Sequence, residues 1–217
     1  MHAATAVLGL TATALLTAGL HYENQAETAP HLEAYSKIPT AAIAWGGIAT
    51  IIIPVFQAIT RWPNRRATTI VGSLGATLTI GTALTALAAN MEAEHAPDTV
   101  LLSMQRHMGT YGTDPAIAQE IDEVQRDYAC CGAQGPAIYE TTRDHITGEV
   151  PESCCSNQGH PCNTLDIEQL HQRGCAEIVG QESARSLQIL MALMAAHALT
   201  IGLATASAVL VNAGRCN

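Results

Sequence analysis

Two adjacent cysteine pairs, Cys130-Cys131-Gly132 and Pro151-Glu152-Ser153-Cys154-Cys155, are followed by Cys162 and by Gly174-Cys175, so six of the seven cysteines fall within 46 residues. Three chemistries are open to such a set. Zinc could be bound by Cys154, Cys155, His160 and Cys162, but their spacing is not that of a standard zinc site. Thiol exchange, as in four-helix membrane oxidoreductases, normally uses a Cys-x-x-Cys pair, and the chain has none. An even set of cysteines in one polar segment reads instead as a disulfide framework, which requires an oxidising compartment. Six cysteines allow fifteen pairings, and spacing does not choose among them.

Few other residues could carry chemistry. Glu92 and Glu94 are acidic neighbours on an expected helix, where charged side chains are ordinarily just solvated. His197 is the one ionisable group well inside an apolar run; such groups are functional candidates, although a neutral imidazole bonded to a threonine or carbonyl of a neighbouring helix accounts for it. Cys216, beside Arg215 near the end, is the odd cysteine and a candidate for S-palmitoylation. The expected catalytic, cofactor-binding and metal-binding sets are all empty.

The elements around the cysteines are apolar. Ala3–Leu20 is an uncharged run whose eighteen residues span about 27 Å as a helix, close to the ~30 Å of a hydrocarbon core. Ile38–Thr60, Ala67–Ala89 and Leu187–Val211 are longer uncharged runs. The expected organisation is a minimal N-terminus 1–2, spans 3–20, 38–60, 67–89 and 187–211, a small outer loop 21–37, an inner loop 61–66, a large outer loop 90–186 and a tail 212–217. The first run also passes for a signal peptide ending at Thr17-Ala18-Gly19, but no basic segment precedes it. Gly9, Thr13 and Thr17, and likewise Ala198, Gly202 and Ala206, place small residues on single helix faces, suited to close packing in a bilayer; a general Ala/Thr bias explains them equally well.

Charge sorts the loops. Residues 90–186 hold sixteen acidic and five basic groups, a net of −11, and 21–37 holds a net of −2. Arg61, Arg65 and Arg66 form the one short basic loop, which by the positive-inside rule faces the cytoplasm. Both termini are then cytoplasmic and the cysteines lie outside, where disulfides form. An acidic exterior without Lys/Arg clusters argues against nucleic acid as a partner. A channel or transporter subunit is the other reading of four spans, disfavoured because no span carries a carboxylate or a basic residue to line a pathway.

Within 90–186, Asp114-Pro115 is a helix start. Ile117, Ile121, Val124 and Tyr128 make one apolar stripe, with Glu120, Asp122, Glu123, Gln125, Arg126 and Asp127 mostly off it. Residues 90–112 should prolong the third span, with a kink at Pro97, and Cys175–Arg185 should run into the fourth. Residues 133–174 are punctuated by Gly and Pro and show little periodicity. No Asn-x-Ser/Thr sequon occurs.

With these residues the chain resembles the tetraspanin family over essentially its whole length: four spans, a small first outer loop, a short basic inner loop, and a large second outer loop carrying CCG, PxSCC and GC in order. The resemblance implies an all-α integral membrane protein, a four-helix transmembrane bundle with a disulfide-stapled, mainly helical large extracellular loop. It implies the pairs Cys130–Cys175, Cys131–Cys154 and Cys155–Cys162. The first would contribute roughly 4 kcal/mol on the chain-entropy model. It also implies a non-enzymatic scaffold that gathers other integral membrane proteins, further copies of itself and membrane lipids, sterol among them, at the plasma or an endosomal membrane. Acylation of Cys216 fits the same pattern. The first and third spans offer only Thr and Ser as polar groups where the family places Asn, Glu or Gln, and the fourth has Gln188 near its outer end and His197 deeper, so the family's intramembrane contacts and sterol pocket carry over to no named position.

Overall fold

A computed structural model describes residues 2–28, 37–61, 65–141, 150–156, 162 and 167–215. Six α-helices follow in order: α1 (His2–Thr28), α2 (Lys37–Arg61), α3 (Arg65–Met108), α4 (Pro115–Tyr128), α5 (Ile138–Thr141) and α6 (Cys175–Arg215). Single 3-10 turns occupy Glu152–Cys154 and Ile167–Gln169. Among the described residues the only β-type pairing is an isolated antiparallel bridge between Cys155 and Leu170. The chain divides into two compact units, Met1–Ala26 with Tyr35–Glu92 and Ser186–Asn217, and Ala93–Arg185 with Glu27–Ala34.

In the first unit the helices close into a ring because small residues let backbones meet. A Cβ placed on Gly46 of α2 would lie 3.0 Å from the Ala12 carbonyl oxygen of α1, and one on Gly19 of α1 would lie 2.8 Å from Ile43. Gly81 of α3 receives the Trp45 ring of α2, whose Nε1 donates to Thr85 Oγ1 at 2.9 Å. Gly75 of α3 faces Thr205 of α6. The ring closes where His197 of α6 lies 2.9 Å from Thr11 Oγ1 of α1. Of the two small-residue faces, Ala198–Gly202 contributes, with Gly202 against Thr79, while Gly9 has nothing near it.

The first unit is largely apolar both inside and outside. Ala12, Ala42, Ala49, Ala86, Ala198 and Ala208 are buried, whereas Leu10, Ile51 and Leu203 are each 70% exposed or more. A water-soluble surface does not carry such a continuous apolar coat. In lipid it costs nothing, and association rests on backbone-close packing. The hydroxyls fit the same solvent: Thr13, Thr79, Thr82 and Thr205 donate to carbonyls one turn back, which satisfies them without water. Among the described residues α3 and α6 hold stretches long and apolar enough to cross a membrane. At 44 and 41 residues they reach about 66 and 62 Å, twice what a bilayer needs. Pro97 lies inside α3, which continues through it to Met108.

In the second unit, α4 begins as its sequence requires: Asp114 accepts from the Ala116 and Ile117 amides, with Pro115 at the first position. It ends at Ala129 in the left-handed region (φ 48°), a conformation that costs a non-glycine residue about 1 kcal/mol or more. The core gathers Val100, Met104 and Met108 of α3, Ile121 and Val124 of α4, Val179 of α6, and the six loop cysteines.

Candidate functional site

The cysteine motifs meet through backbone before they meet through sulfur. The Cys131 amide donates to the Arg173 carbonyl at 2.9 Å, and the Cys175 and Ala176 amides donate to Gly132 and Ala133 at 2.8 and 3.0 Å. Those last two donors belong to the first turn of α6, whose amides have no partner within their own helix. The CCG segment therefore caps the helix that the GC pair opens. Two glycines make this approach feasible. Gly132 has φ 58°, and a Cβ there would lie 2.6 Å from the Gly135 oxygen; a Cβ on Gly174 would lie 2.5 Å from the Gln134 backbone.

On this framework the structure joins Cys130 to Cys175, Cys131 to Cys154 and Cys155 to Cys162, with Cα–Cα distances of 5.0, 4.9 and 5.8 Å. All three lie in the range a disulfide bridges without moving backbone. The sulfurs that zinc would need as thiolates are thereby engaged, and His160 lies outside the described residues, as does Cys216. The Ser156 amide donates to Gln169 and the His171 amide to Cys154, so the segment after PxSCC is held against the residues that lead to Gly174-Cys175.

Beneath the sulfurs lies a polar network that sequence reasoning missed. Gln125, expected on the polar side of α4, is 0% exposed. The correction is geometric: Gln125 follows Ile121 by four residues, only about 40° around the helix, and so shares the buried face. Its carboxamide lies 2.7 Å from the Tyr139 hydroxyl and 2.7 Å from Ser153 Oγ. Ser153 Oγ also lies 2.7 Å from Asp122 Oδ1, which accepts from the Tyr111 hydroxyl at 2.9 Å. The Tyr111 and Tyr139 rings meet edge to face, 5.7 Å apart.

Ser153 has one proton and two oxygens within reach. The Asp122 carboxylate, as the charged acceptor, takes it. Gln125 Oε1 is the second acceptor beside Ser153 Oγ, while Gln125 Nε2 donates to the Tyr139 hydroxyl, whose own proton faces Met108 Sδ at 4.0 Å. The chain of bonds ends on the Asp122 carboxylate. Burial holds the Tyr139 phenol well above its ordinary range, with the Gln125 bond opposing and Asp122 adding to it. For Tyr111, burial again leads, followed by Tyr139 and Asp122. Both phenols stay neutral donors. The motif serine is thus the link between the PxSCC turn, α4 and α5. The signal that could have found it was a serine beside two obligate cysteines, with a glutamine one turn past Ile121.

Elsewhere the candidates are unremarkable as chemistry. His197 is fully buried, with Nδ1 beside Thr11 Oγ1, which in turn lies 3.3 Å from Thr200 Oγ1. It acts as a tie between α1 and α6. Glu92 is half-buried, and burial raises its carboxyl above the usual range while Lys37 opposes that shift; Glu94 is exposed.

A sequence model of the Tetraspanin family matches residues 3–213. Among individual relatives, the CD63 antigen of Bos taurus is 34% identical over 74 residues, 34% of this chain and 31% of that protein. The CD63 antigen of Homo sapiens is 29% identical over 79 residues, 36% and 33% of the two chains. Tetraspanin-11 of Rattus norvegicus is 28% identical over 30% of each. The matched stretch spans about a third of the length of these curated relatives.

Proposed function

The chain belongs to the Tetraspanin family, and we propose that it is a membrane scaffold that gathers partner membrane proteins through its outer domain and its helices, with no catalysis of its own. The observation that carries this reading is the pairing of a disulfide-held outer unit with two helices, α3 and α6, that each contain a membrane-length apolar stretch. Loops on rigid scaffolds tend to carry recognition, and partner recognition is assigned to 133–174, the Gly- and Pro-punctuated stretch between the CCG and GC motifs. The topology that goes with it has spans at 3–20, 38–60, 67–89 and 187–211, both termini cytoplasmic and 90–186 outside, at the plasma or an endosomal membrane, with Cys216 acylated on the inner side.

Proximity labelling by the full chain in cells, followed by co-purification in mild detergent, tests the proposal. The expected result is a reproducible set of integral membrane proteins enriched over an unrelated four-span control. No enrichment, or ion flux from liposomes that contain this chain alone, would overturn it.

A further inference from the structure

The outer unit contains a cleft of about 300 Å³ between α3 and the start of α6. Its floor is made of small buried groups, Ala133, Gly174 and Ala176, and Pro97 and Leu101 line it from α3. Two carboxylates, Asp98 and Glu177, stand at its lips. Asp98 has no ion-pair or hydrogen-bond partner among the described residues. Glu177 is paired with Arg173 at 3.2 Å, but both side chains are more than half exposed, so that pair is easily exchanged.

We infer that this cleft is a docking slot for a lysine or arginine side chain from the extracellular stretch of a neighbouring membrane protein. This deepens the scaffold reading and rests on it. A side chain laid in the cleft would set its aliphatic stem over Ala133, Gly174 and Ala176, beside Gln134, and carry its cationic head to the carboxylates at the edge. Charge complementarity selects the occupant. Residues 90–186 carry a net of −11, so a second copy would bring a like-charged surface, whereas a basic segment is attracted at long range. Position selects the part of the partner. Pro97 and Leu101 follow Ala89, the last residue of the third apolar run, by only eight and twelve positions. The matching segment is therefore the one that leaves the bilayer beside this chain.

The test uses the full chain in lipid nanodiscs. The probes are two peptides, acetyl-Gly-Ser-Lys-Ser-Gly-amide and the same peptide with norleucine at the centre, with affinities read by ligand-observed NMR. The lysine peptide is expected to bind about tenfold more tightly at low salt, a modest charge-pair effect, and D98N/E177Q should bring the two peptides to the same affinity. Both substitutions are exposed and nearly isosteric, and an unchanged non-reducing disulfide map checks the fold. Equal binding of both peptides to the unaltered chain would overturn the inference. So would a lysine preference that survives in D98N/E177Q, or a variant whose only change is in self-association. Partner co-purification that persists while the lysine peptide is inert refutes the slot alone; absence of partners from the unaltered chain refutes the scaffold reading.

Discussion

Ser153→Ala tests whether the buried polar network, and not the sulfur bridges alone, holds α4 to the PxSCC turn. Ser153 is 4% exposed and gives its proton to a carboxylate, a bond that contributes about 1.5–3 kcal/mol. Its loss also strips the Gln125 amide of one partner in a site closed to water, which costs about 1–3 kcal/mol for an unsatisfied group. The two terms overlap, since Ala leaves room for some relaxation, so the expected loss of local stability is about 2–4 kcal/mol. The disulfides confine the effect, because Cys131–Cys154 keeps the turn near α4 even when the network opens. Hydrogen exchange by mass spectrometry on the full chain should then show α4 amides exchanging about thirtyfold to several-hundredfold faster, with the apolar unit unchanged. Gln125→Met combined with Ser153→Ala should be less damaging than the sum of the singles, because removing both partners leaves fewer orphans. Acceleration below about twofold, or strict additivity of the pair, would show that the network contributes nothing beyond packing.

Three further outcomes are expected. Gly132→Ala forces a left-handed residue with its Cβ against the Gly135 carbonyl; it should cost about 1–3 kcal/mol and raise the fraction of mispaired, reducible protein on non-reducing gels. Gly46→Val separates α1 from α2 at a contact of 3.0 Å and should lower the melting temperature of the detergent-solubilised chain, while Gly9→Val, with open space around it, should not. At alkaline pH the two buried phenols act together. Their folded-state values are raised above the ordinary 10.0, so their stabilising contribution is complete below pH 10 and is lost as pH climbs from there toward the folded values. Near-ultraviolet dichroism of the Tyr111 and Tyr139 pair should therefore be flat from pH 7 to 9 and decline above about 10, with Tyr111→Phe shifting the decline upward.

Much of the architecture was legible because it follows from local chemistry. Asp114 and Pro115 start α4 where their capping chemistry requires, and α6 does open at Cys175. The helices outrun the apolar runs, however. α1 continues through Thr28, eight residues past Leu20, because backbone bonding is satisfied within a helix whether or not the next side chain is apolar. Residue class misled at Gln125, since its polarity assigned it to the surface while its helical phase assigned it to the core. Phase prevailed because Ser153 and Tyr139, fourteen to twenty-eight residues away, arrive to satisfy it.

From composition and order alone came the membrane class, the helical build and the family motifs, since each depends on how a residue meets its solvent. Tertiary structure decided which carbonyls cap α6, which two oxygens come within reach of Ser153, and which faces of Gly19, Gly46, Gly75 and Gly81 meet a neighbouring helix. Those outcomes depend on distances between residues remote in sequence, and a string of residue types carries no distance until the backbone has closed upon itself.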